Sequence, residues 1–206
     1  MNSIIIIIFQ LIVLLFSVIL HEISHGYMAY LLGDNTAKDS GRLTLNPLSH
    51  LDPMGSFVFP LLMYFLTQGS FVVGWAKPVP FNPNNLRKPK RDIGLVGIAG
   101  PLINLVIALI FSLLLRLINF FDFTLTPMNE FFGIIIYLNI LLAVFNLIPI
   151  PPLDGSRVLY SFLPQKWEKY YWMLERYGMI LIMFFAFFGF QLLIPIIESL
   201  FSFLVG

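Results

Sequence analysis

The chain has 206 residues, 58% of them hydrophobic and 11% charged, with a net charge of +1. Ordinary soluble domains carry about 25% charged residues, so a soluble domain is excluded, and no segment is polar enough to fold separately in water. The absence of cysteine removes disulfides, thiolate metal sites and cysteine nucleophiles.

In chain order, Met1 to Leu20 lacks the basic leader and small-residue cleavage site of a signal peptide. It runs straight into His21-Glu22-Ile23-Ser24-His25 and is read as a retained transmembrane helix. That first helix is predicted from Ile4 to Leu32, stopped by Gly33-Asp34-Asn35. Residues 34–53 are polar and turn-rich, and Gly55 to Leu66 is apolar but short for a span. The segment Phe71 to Pro80, FVVGWAKPVP, combines glycine, prolines and β-branched residues, which argues for an extended strand or loop. A basic knot at Arg87 to Arg91 precedes a second long apolar helix, Ile93 to Ile118, and Phe131 to Ile148 is a third. Pro149, Pro151 and Pro152 break the chain before Leu153-Asp154-Gly155, and a short segment continues to Leu163. Met179 to Val205 is the last long apolar run.

The expected fold is an all-α polytopic membrane protein. It is a compact bundle of about five to six transmembrane or re-entrant segments with a short extended, membrane re-entrant β-like loop. One membrane-embedded domain covers 1–206, with core helices near 4–32, 93–118 and 131–163, the loop near 71–82 and a last helix near 177–205. Lys38, Arg42, the 87–91 knot, Lys166, Lys169 and Arg176 mark the cytoplasmic side, while the 119–130 loop and the N-terminus face outward. Residues 54–86 must then leave and return on the cytoplasmic side, so 55–66 or 71–80 re-enters. At 1.5 Å per residue His21 lies about 25 Å along the first helix, inside a hydrocarbon core of about 30 Å and nearer its cytoplasmic face.

His21 and His25 are four residues apart on a helix, so both imidazoles share a face and can bind one metal ion. Catalytic zinc takes three protein ligands and keeps a position for water. Glu22 stands about 100° around the helix from His21 and could serve as general base. The blander reading is a histidine pair that hydrogen-bonds inside the bundle. Ionisable residues in an apolar helix cost about 2.5–3.5 kcal/mol each, however, and three in five positions call for a compensating ion. The third ligand is His50, in a polar turn-rich stretch, or Asp154, a carboxylate placed after an apolar helix; Asp154 is the better candidate, although it could also start a helix. Ala99-Gly100-Pro101 reads as close helix packing and a kink, and Asn104 and Asn139 as interhelical hydrogen-bonders.

With these pieces assembled, the chain resembles the site-2 protease family of intramembrane zinc metalloproteases. HEISHGYMAY, GRLTLNPLSHLDPMG, GWAKPVPFNP, RDIGLVGIAGPLINL and NLIPIPPLDGSRVL match that family's segments in its order. The resemblance implies one zinc ion per chain held by His21, His25 and Asp154, with Glu22 as acid/base. It also implies that Asn146 assists at the substrate or oxyanion. A loop that includes Gly74, Trp75, Ala76, Lys77 and Pro78 would pair with an unwound substrate. The expected activity is endoproteolysis in or near transmembrane helices of membrane proteins, in the plasma (inner) membrane of a prokaryote. The partners are those helices and the bilayer, with homo-oligomers allowed and no nucleic acid. The expected member is a compact form without the PDZ or CBS domain of some relatives. The competing readings are a metal transporter or channel built on the same ligands, and a catalytically dead helix-binding relative. A transporter would be expected to show repeats or paired broken helices, and intact HEISH and LDG argue against a dead relative.

Overall fold

A computed structural model describes residues 3–66, 68, 74, 76–121 and 126–206. The α-helices are α1 (Ser3–Leu31), α2 (Thr36–Asp39), α3 (Phe59–Leu66), α4 (Pro89–Phe120), α5 (Thr126–Asn146), α6 (Asp154–Phe162), α7 (Glu168–Arg176), α8 (Gly178–Phe188) and α9 (Ile194–Val205). The protein is an all-α polytopic membrane protein, and no strand occurs among the described residues. Ile4–Leu31, Pro89–Phe120 and Pro127–Asn146 are each long and apolar enough to cross a bilayer. A fourth crossing is made if Gln165–Arg176 and Gly178–Phe188, bent by 70° at Tyr177, act as one span. Two shorter apolar helices, Met54–Leu66 and Phe190–Val205, complete the set.

Local chemistry sets the breaks. After α1, Gly33 adopts φ +111° while its N–H reaches Tyr30 O and the Asp34 N–H reaches Ala29 O. This is the paired bonding of a Schellman cap, which only a glycine enters without strain. Asp34 is fully buried and ties that corner to the later chain: Oδ1 accepts the Thr36 hydroxyl, Asn85 Nδ2 at 2.8 Å and the Thr36 N–H, and Oδ2 accepts the Asn82 N–H at 2.6 Å. Burial pushes the Asp34 carboxyl up, but these donors outweigh it and hold the group below the ordinary carboxylate range. The last apolar run, expected as one helix near 177–205, is interrupted at Gly189 and restarts as α9, with Pro195 in the first turn where its missing N–H costs nothing. The 131–163 stretch is likewise two helices, α5 and α6, separated by the proline loop.

α4 is the centre of the bundle and packs on α1, α5, α6 and α9. One half of its length meets an apolar core of Ala108, Leu115, Ile136, Ile140, Leu193 and Ile197. The other half carries Gly94, Gly97 and Gly100 along one stripe. A Cβ at Gly94 would lie 2.5 Å from Ser161 Oγ, and one at Gly97 would lie 2.9 Å from Arg157 Cβ. Small residues at this spacing let α6 approach the α4 backbone closely. At Gly155 a Cβ would run into Leu147 O, so the loop closing α5 to α6 has no room for a side chain there. The stripe and this loop deliver Asp154 to the middle of the bundle.

Candidate metal centre

His21 and His25 occupy one face of α1, and both are buried. The short helix α6 begins at Asp154, which is buried against them: Oδ2 lies 2.9 Å from His21 Nε2 and 3.1 Å from His25 Nε2. Among the described residues, His21, His25 and Asp154 form a group able to hold a metal ion, with ligand atoms all within 4.8 Å of one another. Asp154 Oδ1 accepts from Arg157 Nη1 at 3.2 Å, leaving Oδ2 to face the histidines.

The donor set tests whether a cation belongs here. His25 Nδ1 lies 2.7 Å from Val96 O, a carbonyl that can only accept, so Nδ1 carries the proton. In neutral imidazole Nε2 is then a bare lone pair, facing a carboxylate oxygen. One cation shared by both Nε2 atoms and the carboxylate relieves the contact, and two imidazoles with one carboxylate suit zinc. Space has been left as well. A Cβ at Gly100 would sit 2.5 Å from the Nε2 atoms of both histidines, so any side chain at 100 would fill the volume in front of those two nitrogens. Zinc therefore fits the residues present.

Glu22, on the turn between the histidines, is half-buried and lies against the loop that begins after residue 74. Its Oε2 accepts the Val79 N–H at 2.8 Å. Three further contacts hold that loop. Buried Arg42 donates from Nη2 to Lys77 O at 2.8 Å and to Pro78 O at 3.2 Å, and the Lys77 N–H reaches His50 O. A Cβ at Gly26 would lie 2.7 Å from Val79 Cγ1, so this glycine lets the loop lie flat on α1. On the far side Phe81 stacks under the Arg157 guanidinium, 5.4 Å from ring centroid to Cζ. Through Arg157 the loop is joined to Asp154.

Several predicted residues fall elsewhere. His50, the rival third ligand, is buried with Nε2 2.8 Å from Thr44 O and supports the loop. Asn146 ends α5 and spends one amide hydrogen on Leu142 O at 2.9 Å. Of the loop residues, Gly74, Ala76, Lys77 and Pro78 are described and follow an irregular path; Trp75, with 71–73, lies outside the described residues. Gly100 and Val96 were missed as site residues. A glycine among small residues and a backbone carbonyl carry no chemical signature, and only the registry of α4 against α1 reveals them.

A two-histidine, one-carboxylate centre beside a glutamate, inside a bundle of membrane-crossing helices, defines a multi-pass membrane metallohydrolase. Residues 122–189 match peptidase family M50. YwhC of Bacillus subtilis, provisionally named a zinc metalloprotease, is 38% identical over 198 residues, covering 93% of this chain and 86% of that protein. Rip2 of Mycolicibacterium smegmatis, named in the same way, is 32% identical over 82% of this chain, which spans 62% of Rip2. The zinc metalloprotease MJ0392 of Methanocaldococcus jannaschii is 29% identical over 76% of this chain and 35% of its own length. No solved structure matches significantly. The chain belongs to peptidase family M50, the site-2 protease family, and is a zinc metalloprotease.

Proposed function

We propose that this chain is an intramembrane endopeptidase that hydrolyses peptide bonds in or near transmembrane helices of other membrane proteins. The observation that carries the reading is the meeting of His21, His25 and Asp154 within the bundle, with Glu22 one residue from the first ligand. His21 Nε2, His25 Nε2 and Asp154 Oδ2 would hold the zinc ion. Bound there, zinc supplies Lewis-acid polarisation of the scissile carbonyl and makes water acidic enough to be deprotonated near neutral pH.

The chain's own groups supply the rest. Glu22 takes the proton of the attacking water at its carboxylate and passes it to the departing amine nitrogen. The Val79 N–H on Oε2 orients that carboxylate, leaving Oε1 as the atom that exchanges the proton. Asn146 keeps one amide hydrogen beyond its bond to Leu142 O, and we assign that hydrogen to the substrate carbonyl. A substrate helix must unwind before its carbonyls are reachable. We infer that the loop that includes Gly74, Trp75, Ala76, Lys77 and Pro78 pairs with the unwound strand. Its amide at 77 and carbonyls at 77 and 78 are already engaged within the fold. The inward-bonded side at 77–79 is the side that steadies Glu22. We infer a prokaryotic plasma membrane as the setting, with the centre nearer its cytoplasmic face, a reading supported by the basic residues flanking the apolar helices.

The test compares purified wild type and Glu22→Gln on a transmembrane substrate, with zinc content measured on both. Unchanged zinc with cleavage lowered by a factor of 100 or more, within the range expected for general-base loss, supports the reading. Equal cleavage refutes it.

A further inference from the structure

Between α1, α4 and α5 lies a buried polar network that touches only one member of the metal centre. Ser17 is 4% exposed, and Asn104 and Asn139 are 0% exposed. Asn139 Nδ2 lies 2.9 Å from Ile135 O and 3.0 Å from Ser17 Oγ. Asn104 Nδ2 lies 2.9 Å from Asn139 Oδ1 and 3.4 Å from Ser17 O, and Asn104 Oδ1 lies 2.6 Å from His21 Nδ1.

We propose that Asn139 and Asn104 are positioning residues that set the tautomer of His21, and with it His21's competence to bind zinc. The Ile135 carbonyl can only accept, so it turns the NH2 of Asn139 toward itself and the Oδ1 toward Asn104. Asn104 must answer with its own NH2, which the Ser17 carbonyl also requires. Its oxygen is thereby the atom presented to His21, and an oxygen there demands that Nδ1 carry the proton. Nε2 is left bare, as a ligand must be. Helix adhesion alone would be served by either orientation of the Asn104 amide, whereas the two backbone carbonyls allow only one. The reversed amide would present NH2 to Nδ1, move the proton to Nε2 and block ligation. His25 gets the same result from Val96 O without a relay. In an apolar helix an amide that turned would have no water to satisfy it, so the order is locked by the cost of an unmet hydrogen bond.

This inference rests on the reading of His21 as a zinc ligand, so the experiment separates the two. Zinc affinity is measured by chelator competition on wild type, His21→Ala, Asn104→Leu and Asn104→Asp in detergent. A carboxylate at 104 still accepts from Nδ1 although it cannot donate to Asn139. His21→Ala must lose the zinc; if it does not, the ligand reading fails. Given that loss, the relay predicts zinc binding weakened about 10- to 100-fold in Asn104→Leu. It predicts recovery to within a few-fold of wild type in Asn104→Asp. A merely structural asparagine would weaken both variants alike or neither, and either pattern overturns the relay. Should Asn104→Leu not fold, Asn139→Leu carries the test, because an unanchored Asn104 is free to reverse. Wild-type affinity in that variant overturns the proposal.

Discussion

Replacing Gly100 by alanine asks whether the centre of the bundle is shaped around an ion. Alanine favours the helix by about 1 kcal/mol, so on propensity alone α4 should gain. The added methyl would lie 2.5 Å from the Nε2 atoms of His21 and His25. A carbon and a nitrogen in van der Waals contact stand about 3.5 Å apart, so each contact is too short by about 1 Å. The rings cannot swing clear cheaply, because Asn104 and the Val96 carbonyl hold both Nδ1 atoms. Zinc–imidazole bonds are about 2.0–2.1 Å long, so the methyl and the ion compete for one volume. We expect zinc affinity to fall by at least the 10- to 100-fold seen when a single supporting bond is lost, and cleavage to fall with it. The matched control is Gly133→Ala on α5, where the nearest atom, Phe201 Cζ, is 3.9 Å from the added carbon. That variant should keep zinc and be as stable as wild type or more so. Zinc content by elemental analysis, chelator competition and helical circular dichroism read the comparison. A folded Gly100→Ala protein with wild-type zinc affinity would refute the assignment of this space to the metal.

Two other outcomes follow from the loop and from the corner after α1. Arg42→Gln removes the guanidinium from Lys77 O and Pro78 O and frees the segment that orients Glu22. Charged hydrogen bonds of this kind are worth about 1.5–3 kcal/mol, so kcat should drop roughly 10- to 100-fold while zinc affinity stays at the wild-type value; unaltered kcat would detach the loop from catalysis. Asp34→Asn should lower the melting temperature in detergent at neutral pH, since an amide cannot accept from Asn82, Asn85 and Thr36 together. The native carboxyl is held low, so its contribution is complete above the unfolded pKa near 4 and fades as the pH falls through the lower folded value; the gap between variant and wild type should therefore close below about pH 4, and a gap independent of pH would contradict that account.

The readable part of this molecule was the part written in residue type. An apolar run of spanning length means a membrane helix, and histidines four apart beside a glutamate mean a metal, because few other roles repay their insertion into lipid. Proline marked the break between α5 and α6, where three prolines leave the helix no way through. The break inside 177–205 was less visible. Gly189 and Pro195 are each tolerated near helix ends, and whether they end one helix or bend it is settled by what α9 packs on. Nor did the spacing show that the FVVGWAKPVP segment touches Glu22, since that contact runs through the backbone N–H of Val79.

The same distinction explains why α4, which offers no ligand, governs the site. Its Val96 carbonyl orients His25, its Asn104 orients His21, and its Gly97 admits the backbone beside Asp154, 3.1 Å from the added carbon to Asp154 O. Gly100 keeps the space between them open. Ligands attract substitution experiments because their loss is total, yet three of these four supports act through absence of a side chain or through a carbonyl that every residue possesses. They can be disturbed only by adding volume or by moving the helix. Pro101 follows directly and denies the Gly97 carbonyl its usual partner four residues on. Zinc occupancy should therefore respond more steeply to bulk added on this stripe than to polar changes on the lipid-facing side of α4.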